Sequence, residues 1–139
     1  MFVDASAVVA ILGEEAGWEE LVRKLDTHEG RLYISPLARF ETVQALARKQ
    51  SGPSARPSPA TIDGANHILD DFISRLQIEE VPVSAQVGAL AIETSSIYGK
   101  IVGHPAALNF GDCFAYACAK ALGVPLMYKG DDFSRTDLA

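Results

Sequence analysis

Residues 109–133 read NFGDCFAYACAKALGVPLMYKGDDF, and the reading of this stretch decides the fold. Asp112 opens an alanine-rich segment that runs to Leu122 with nothing to break a helix, and Gly123 supplies a C-cap. Val124-Pro125 then leads into the short apolar run Leu126-Met127-Tyr128, which ends at the turn signal Lys129-Gly130-Asp131-Asp132. In a parallel α/β unit a helix runs antiparallel to the strand that follows it, so its N-terminus lies level with the strand's C-terminal end. Asp112 and Asp131 are therefore predicted to meet at one rim of a sheet. Open α/β sheets bind their ligands at that rim.

The rest of the chain continues the alternation. Phe2-Val3 reads as a strand ending on Asp4, with Ser6 as the expected N-cap of a helix through Leu12. A second helix, roughly Gly17 to Leu25, carries Glu19 and Glu20 four residues before Arg23 and Lys24, which is the pattern of a solvated face. Leu32-Tyr33-Ile34 is the second strand, and Ser35 with Pro36 starts a helix to about Gln50. Ser51 to Pro59 is a loop, and Ile62, Ala65, Leu69, Phe72, Ile73 and Leu76 recur with helical period. Residues 79–83 form a weak strand, Ser84 caps a helix to about Tyr98, and Gly99 to Pro105 is a second loop. A short edge strand is expected at Thr136–Leu138. The class is α/β: three layers, α/β/α, around a parallel sheet of about four to five strands, as one domain over residues 1–139. Strand order is not readable from such a pattern.

A chain of 139 residues with 48% apolar and 22% charged residues belongs among ordinary globular proteins. The start Met1-Phe2-Val3-Asp4 lacks the charged region of a signal peptide, and Ala5 to Leu12 is too short to span a bilayer, so a cytoplasmic location is expected. Cys113 and Cys118 fall on one helix without metal-binding spacing and read as small core residues. The net charge of −6 argues against a general nucleic-acid binder, which is normally basic.

Carboxylates carry the chemistry. Asp4 ends the first strand, Glu41 lies in the second turn of the helix after strand two, and Asp112 and Asp131 complete a group at the same rim. Each has a plainer role available: Asp4 as a cap, Asp112 at a helix dipole, Asp131 and Asp132 as turn formers. Glu41 has Leu37 and Ala45 as its i−4 and i+4 neighbours, and no cation within a turn to pair with. Carboxylates gathered in this way raise one another's pKa unless a cation neutralises them, and all-oxygen ligands suit Mg²⁺ or Mn²⁺. Such a site handles phosphate oxygens and activates water. Arg39, Arg48, Lys100, Lys129 and Arg135 are the basic residues nearest in sequence, candidates for a collar along a phosphodiester backbone.

Residues 2–12 (FVDASAVVAIL), 35–46 (SPLARFETVQAL) and 109–138 (NFGDCFAYACAKALGVPLMYKGDDFSRTDL) resemble the PIN-domain ribonucleases, specifically the VapC toxins of VapBC toxin–antitoxin systems. The resemblance implies an acidic quartet of Asp4, Glu41, Asp112 and Asp131, with Ser6 as a polar accessory and Asp132 able to share the fourth role. It also implies RNA cleavage with Mg²⁺ or Mn²⁺, a homodimer, and silencing by a VapB antitoxin. A haloacid-dehalogenase-type phosphatase needs a second acid where this chain has Ser6, and a receiver domain needs a phosphorylatable Asp where it has Pro82-Val83-Ser84. Two further alternatives are a PIN scaffold kept as a non-catalytic binding module and a housekeeping PIN nuclease without an antitoxin. His104 is expected as an exposed loop residue, and Tyr116 in packing or stacked on a base.

Overall fold

Successive side chains on a strand point to opposite faces, and three two-residue strands use this to feed two separate cores. The computed structural model describes residues 1–138. In it β1 (Phe2–Val3) pairs in parallel with β2 (Tyr33–Ile34) on one side and with β4 (Leu126–Met127) on the other. Registers of Phe2 with Tyr33 and of Phe2 with Leu126 put these three side chains on one face. Val3, Ile34 and Met127 share the opposite face.

On the Val3 face pack α1 (Ala5–Leu12), α2 (Trp18–Asp26), α3 (Pro36–Ser51) and α4 (Pro59–Leu76). On the Phe2 face pack α5 (Ala85–Tyr98) and α6 (Phe110–Leu122), with Phe133 closing the end. Full burial of Phe2, Ile34, Leu69 and Phe133 contributes about 1.5–3 kcal/mol each. The alanines of α6 let it lie close on the sheet: Ala115, Ala117 and Ala119 are buried, as are the unpaired thiols of Cys113 and Cys118.

The fourth strand, β3 (Glu79–Glu80), adds to β2, giving the order β3-β2-β1-β4, all parallel. The expected three-layer α/β architecture is therefore present, with four strands. From β1 the chain steps outward through β2 and β3, then returns to the other side of β1 as β4. The strand order reverses between β1 and β4, and their C-terminal ends form the crevice where such sheets take ligands.

Three local expectations are corrected. Asp4, not Ser6, caps α1: its carboxylate accepts the Ser6 backbone N–H at 2.9 Å, so Ser6 is already inside the helix. α6 begins at Phe110, two residues before the Asp112 that opens the expected helix; Asn109 is its N-cap and forms a capping box with Asp112 in the first turn. Thr136–Leu138 is not a strand. Ser134 and Thr136 hydroxyls donate to the Asp131 and Phe133 carbonyls at 2.6 and 2.9 Å, closing a 3₁₀ turn over Asp132–Arg135 instead of leaving extended backbone to pair. Asp137 beyond it is held by Tyr116 and Lys120.

Candidate active site

Asp4 leaves β1 with its N–H bonded to the Met127 carbonyl of β4 at 2.9 Å, so the carboxylate starts at the switch point. It is 4% exposed, and Oδ2 accepts from both the N–H (2.9 Å) and the hydroxyl (2.5 Å) of Ser6. The Ser6 hydroxyl in turn accepts the Lys129 N–H at 3.0 Å. Ser6 thus ties the end of β1 to the loop after β4 and fixes the Asp4 rotamer. Burial pushes the Asp4 carboxyl up, the Ser6 and Ala5 contacts pull it down, and Asp132 pushes it up again.

Glu41 comes from α3, whose start is set by Ser35 accepting the Ala38 N–H at 3.2 Å and by Pro36 in the first turn. Burial, then Asp4 and Asp112, push its carboxyl up to about 7. Asp112 comes from the first turn of α6, where Oδ2 accepts the Asn109 N–H at 2.8 Å. Burial lifts its carboxyl to about 6; the Asn109 bond opposes this, while Asp4 and Asp132 add to it. Both are shifted for the same physical reasons: burial first, then repulsion from neighbouring carboxylates.

Of the two adjacent acids after β4, the one turned to the cavity is not the one expected. Asp132, not Asp131, lines the cavity of about 570 Å³ with Asp4, Glu41 and Asp112. Gly130 sits at φ +100° and swings the chain round, so the alternation of an extended strand does not carry across the turn. Phe133, packed on Tyr128 at 5.0 Å between ring centroids, anchors the turn. Asp131 offers its carbonyl to Ser134.

The basic collar is smaller than the sequence suggests. Arg48 and Lys129 line the cavity, whereas Arg39 is bound to Glu80 (2.7 Å) and Asp70 between α3 and α4. Lys100 lies on a neighbouring apolar groove. His104 is half-buried, edge-on to Tyr98 at 5.2 Å, and its Nδ1 accepts the Ala106 N–H, so it is not the exposed loop residue expected. Tyr116 is buried and bonded to Asp137, which takes it out of base stacking.

Two features had no counterpart in the sequence reading. Gly111 lies under the Glu41 carboxylate, and a Cβ there would fall 2.5 Å from Glu41 Cδ. The missing side chain is what lets α3 bring its acid against the start of α6. Phe40, on the cavity wall, is 64% exposed. The only sequence signal for either was its place beside an acid.

Among the described residues no three Asp, Glu, His or Cys side chains are already gathered closely enough to hold an ion. The donor chemistry nonetheless fits a hard divalent cation: oxygen donors only, carried on separate elements, with carboxyls raised by burial and by mutual repulsion.

The family described as PIN domain matches residues 1–138. A VapC ribonuclease of Rhizobium meliloti is 49% identical over 141 aligned residues, covering 99% of this chain and 98% of that protein. Ribonuclease VapC42 of Mycobacterium tuberculosis is 33% identical, covering 99% and 96%. Among solved structures, a toxin–antitoxin complex from Klebsiella pneumoniae superposes with a TM-score of 0.69 at 13% identity, over 99% of this chain and 92% of that one. Mycobacterium tuberculosis VapC20, a sarcin–ricin-loop-cleaving toxin, gives 0.66 at 19% identity, over 96% and 92%. With relatives matched nearly end to end in both directions, the chain belongs to the PIN domain family, in its VapC branch.

Proposed function

We propose that this protein is a Mg²⁺- or Mn²⁺-dependent endoribonuclease, the toxin of a toxin–antitoxin pair, with Asp4, Glu41, Asp112 and Asp132 as its acidic set. The observation that carries this reading is the meeting of acids from four separate segments in one cavity, two of them held near neutrality by burial and repulsion. A bound divalent ion supplies Lewis acidity, a water of lowered pKa and charge stabilisation on the leaving oxygen. Asp4, locked by Ser6, is the fixed member of the set, and Glu41 over Gly111 and Asp112 in its capping box are held by the two flanking helices. Asp132, exposed on its turn, is the member with freedom to adjust. Arg48 and Lys129 offset the acidic field where phosphates enter.

The partners in this reading are RNA, a VapB-type antitoxin and a second copy of the chain, in the cytoplasm, with one PIN domain serving the whole function. Relatives named as VapC ribonucleases and a neighbour solved as a toxin–antitoxin complex support it. So does an apolar groove beside the acid cavity, with Ile92 75% and Ile101 86% exposed, a surface suited to a protein partner. Among the described residues no helix is long and apolar enough to cross a membrane.

Purified protein, free of antitoxin, is expected to cut structured RNA in Mg²⁺ or Mn²⁺ and to lose more than about 100-fold of that rate in EDTA. Undiminished cleavage after chelation would overturn the metal-dependent reading.

Gly111→Ala tests the Glu41 approach. Gly111 is helical without a positive φ, so alanine should leave thermal stability unchanged or raise it by up to about 1 kcal/mol. The new methyl must displace the Glu41 carboxylate, and cleavage should fall about 10-fold or more. Melting curves and initial rates together check this; a stable variant with wild-type rate would refute the placement of Glu41.

A further inference from the structure

The cavity wall formed by α3 is not uniform. Phe40, Gln44 and Arg48 follow one another at four-residue spacing, and all three line the cavity, beside Glu41. Residues four apart stack along one helix face, so they form a stripe about 12 Å long leading away from the acids. Its chemistry changes in order: an aromatic ring, a side-chain amide, a guanidinium.

Phe40 is the unusual member. A phenylalanine on a packed helix normally turns to the core, yet this ring is 64% exposed, and among the described residues no other aromatic ring packs against it. It also follows Arg39, whose side chain is committed to Glu80 and Asp70 on the other flank of α3. Arg48 has no ion pair among the described residues, whereas Lys49 beside it is bound to Glu15. The stripe thus offers a free ring face, an amide with donors and acceptors, and an uncommitted planar cation.

We propose that this stripe is the substrate track: an unpaired RNA segment lies along α3 with one base stacked on Phe40, Gln44 reading a base edge and Arg48 on a phosphate. It rests on the ribonuclease reading above and adds to it the residues that hold the strand beside the acids. Stacking on an exposed ring needs a base removed from its helix, which duplex RNA does not present. Arg48 at the far end, with Lys129 at the acids, gives this acidic protein positive charge where the strand would run. Phe40, Gln44 and Arg48 are positioning residues, and the reacting phosphate stays with the acids.

The test compares wild type with Phe40→Ala, Phe40→Trp and Arg48→Gln. Kinetics use a ribo-oligonucleotide that the wild type cuts, and anisotropy uses a labelled single-stranded RNA on the same substitutions in the Asp112→Asn background. Phe40→Ala should raise KM about 5- to 100-fold with kcat changed much less, and weaken RNA binding to match. Phe40→Trp should restore both to within about 3-fold, because any large ring offers a stacking face. Arg48→Gln should weaken binding and lower the salt slope by about one. A fully paired RNA should bind all the proteins equally poorly. Unchanged KM and anisotropy in Phe40→Ala would overturn the track, and so would a failure of tryptophan to rescue. Light scattering adds a third such outcome: if Phe40→Ala splits a dimer while RNA binding stays intact, the ring belongs to a protein interface. Absence of cleavage by the wild type would count against the ribonuclease reading, and the anisotropy arm would still decide the track.

Discussion

Asp112→Asn is expected to keep the fold and lose RNA cleavage by more than about 100-fold, the most damaging single change of an acid in the proposed set. The side chain has two jobs. One oxygen accepts the Asn109 N–H at 2.8 Å and closes the capping box of α6. The rest of the carboxylate shares the cavity with Asp4, Glu41 and Asp132, and burial first, then the charges of Asp4 and Asp132, lift its pKa to about 6. Asparagine retains a carbonyl oxygen for the cap, so the helix start survives. Alanine would also forfeit the cap, about 0.5–2 kcal/mol, and confuse the two effects. Removing one of several repelling charges should leave metal-free stability equal or slightly higher. Wild-type cleavage in Asp112→Asn would sink the assignment. The companion pair is Asp132→Asn against Asp131→Asn. The first should slow cleavage about 10-fold and the second hardly at all, because only Asp132 lines the cavity. The reverse order would restore the register that simple strand alternation suggests.

That pair also marks where the sequence stops being legible. The alternation Phe2-Val3, Tyr33-Ile34 and Leu126-Met127 can be read directly, because each residue commits to one core by the two-residue period of a strand. Asp4, Glu41 and Asp112 follow from the same logic, since strand ends and the following helix starts share a rim. Past Gly130 the period no longer applies, and it is Asp132 rather than Asp131 that lines the cavity. Asp4 and Ser6 are both good caps two residues apart, and local propensity cannot choose between them; the link from Ser6 to Lys129, a contact across the whole chain, belongs to the fold. The same holds for Glu41 above Gly111. Nothing in the neighbourhood of either residue announces the other, because the contact depends on how α3 and α6 approach each other. Strand order, and with it the switch point, is likewise a property of long-range pairing. Phe40 failed to stand out for a simpler reason: an aromatic in a helix reads as core until its exposure is seen.

The strongest condition dependence should come from pH, acting on metal affinity and on metal-free stability in opposite senses. Glu41 and Asp112 sit at about 7 and about 6 in the folded chain, against ordinary values of about 4.3 and 3.9 when unfolded. The folded protein therefore holds protons that the unfolded chain has released. Its contribution from these groups is fully present below about pH 4 and is lost as pH rises through 6 and 7. Metal-free protein should thus be less stable at pH 8 than at pH 5 by about 1–2 kcal/mol from Glu41, a figure reduced for its partial exposure to solvent. Comparing wild type with Glu41→Gln isolates this term, because the difference between their melting curves should grow from pH 5 to pH 8, with the variant the more stable at the alkaline end. Metal binding needs both groups ionised. At pH 5.5 only about one in thirty Glu41 and one in four Asp112 side chains are ionised, so Mg²⁺ or Mn²⁺ affinity should fall about 100-fold from its value at pH 8. Calorimetric titration at the two pH values reads this without any RNA, and saturating metal should reverse the slope of stability with pH. A metal affinity that is flat between pH 5.5 and 8 would mean that these carboxylates are not the ligands, whatever the protein cuts.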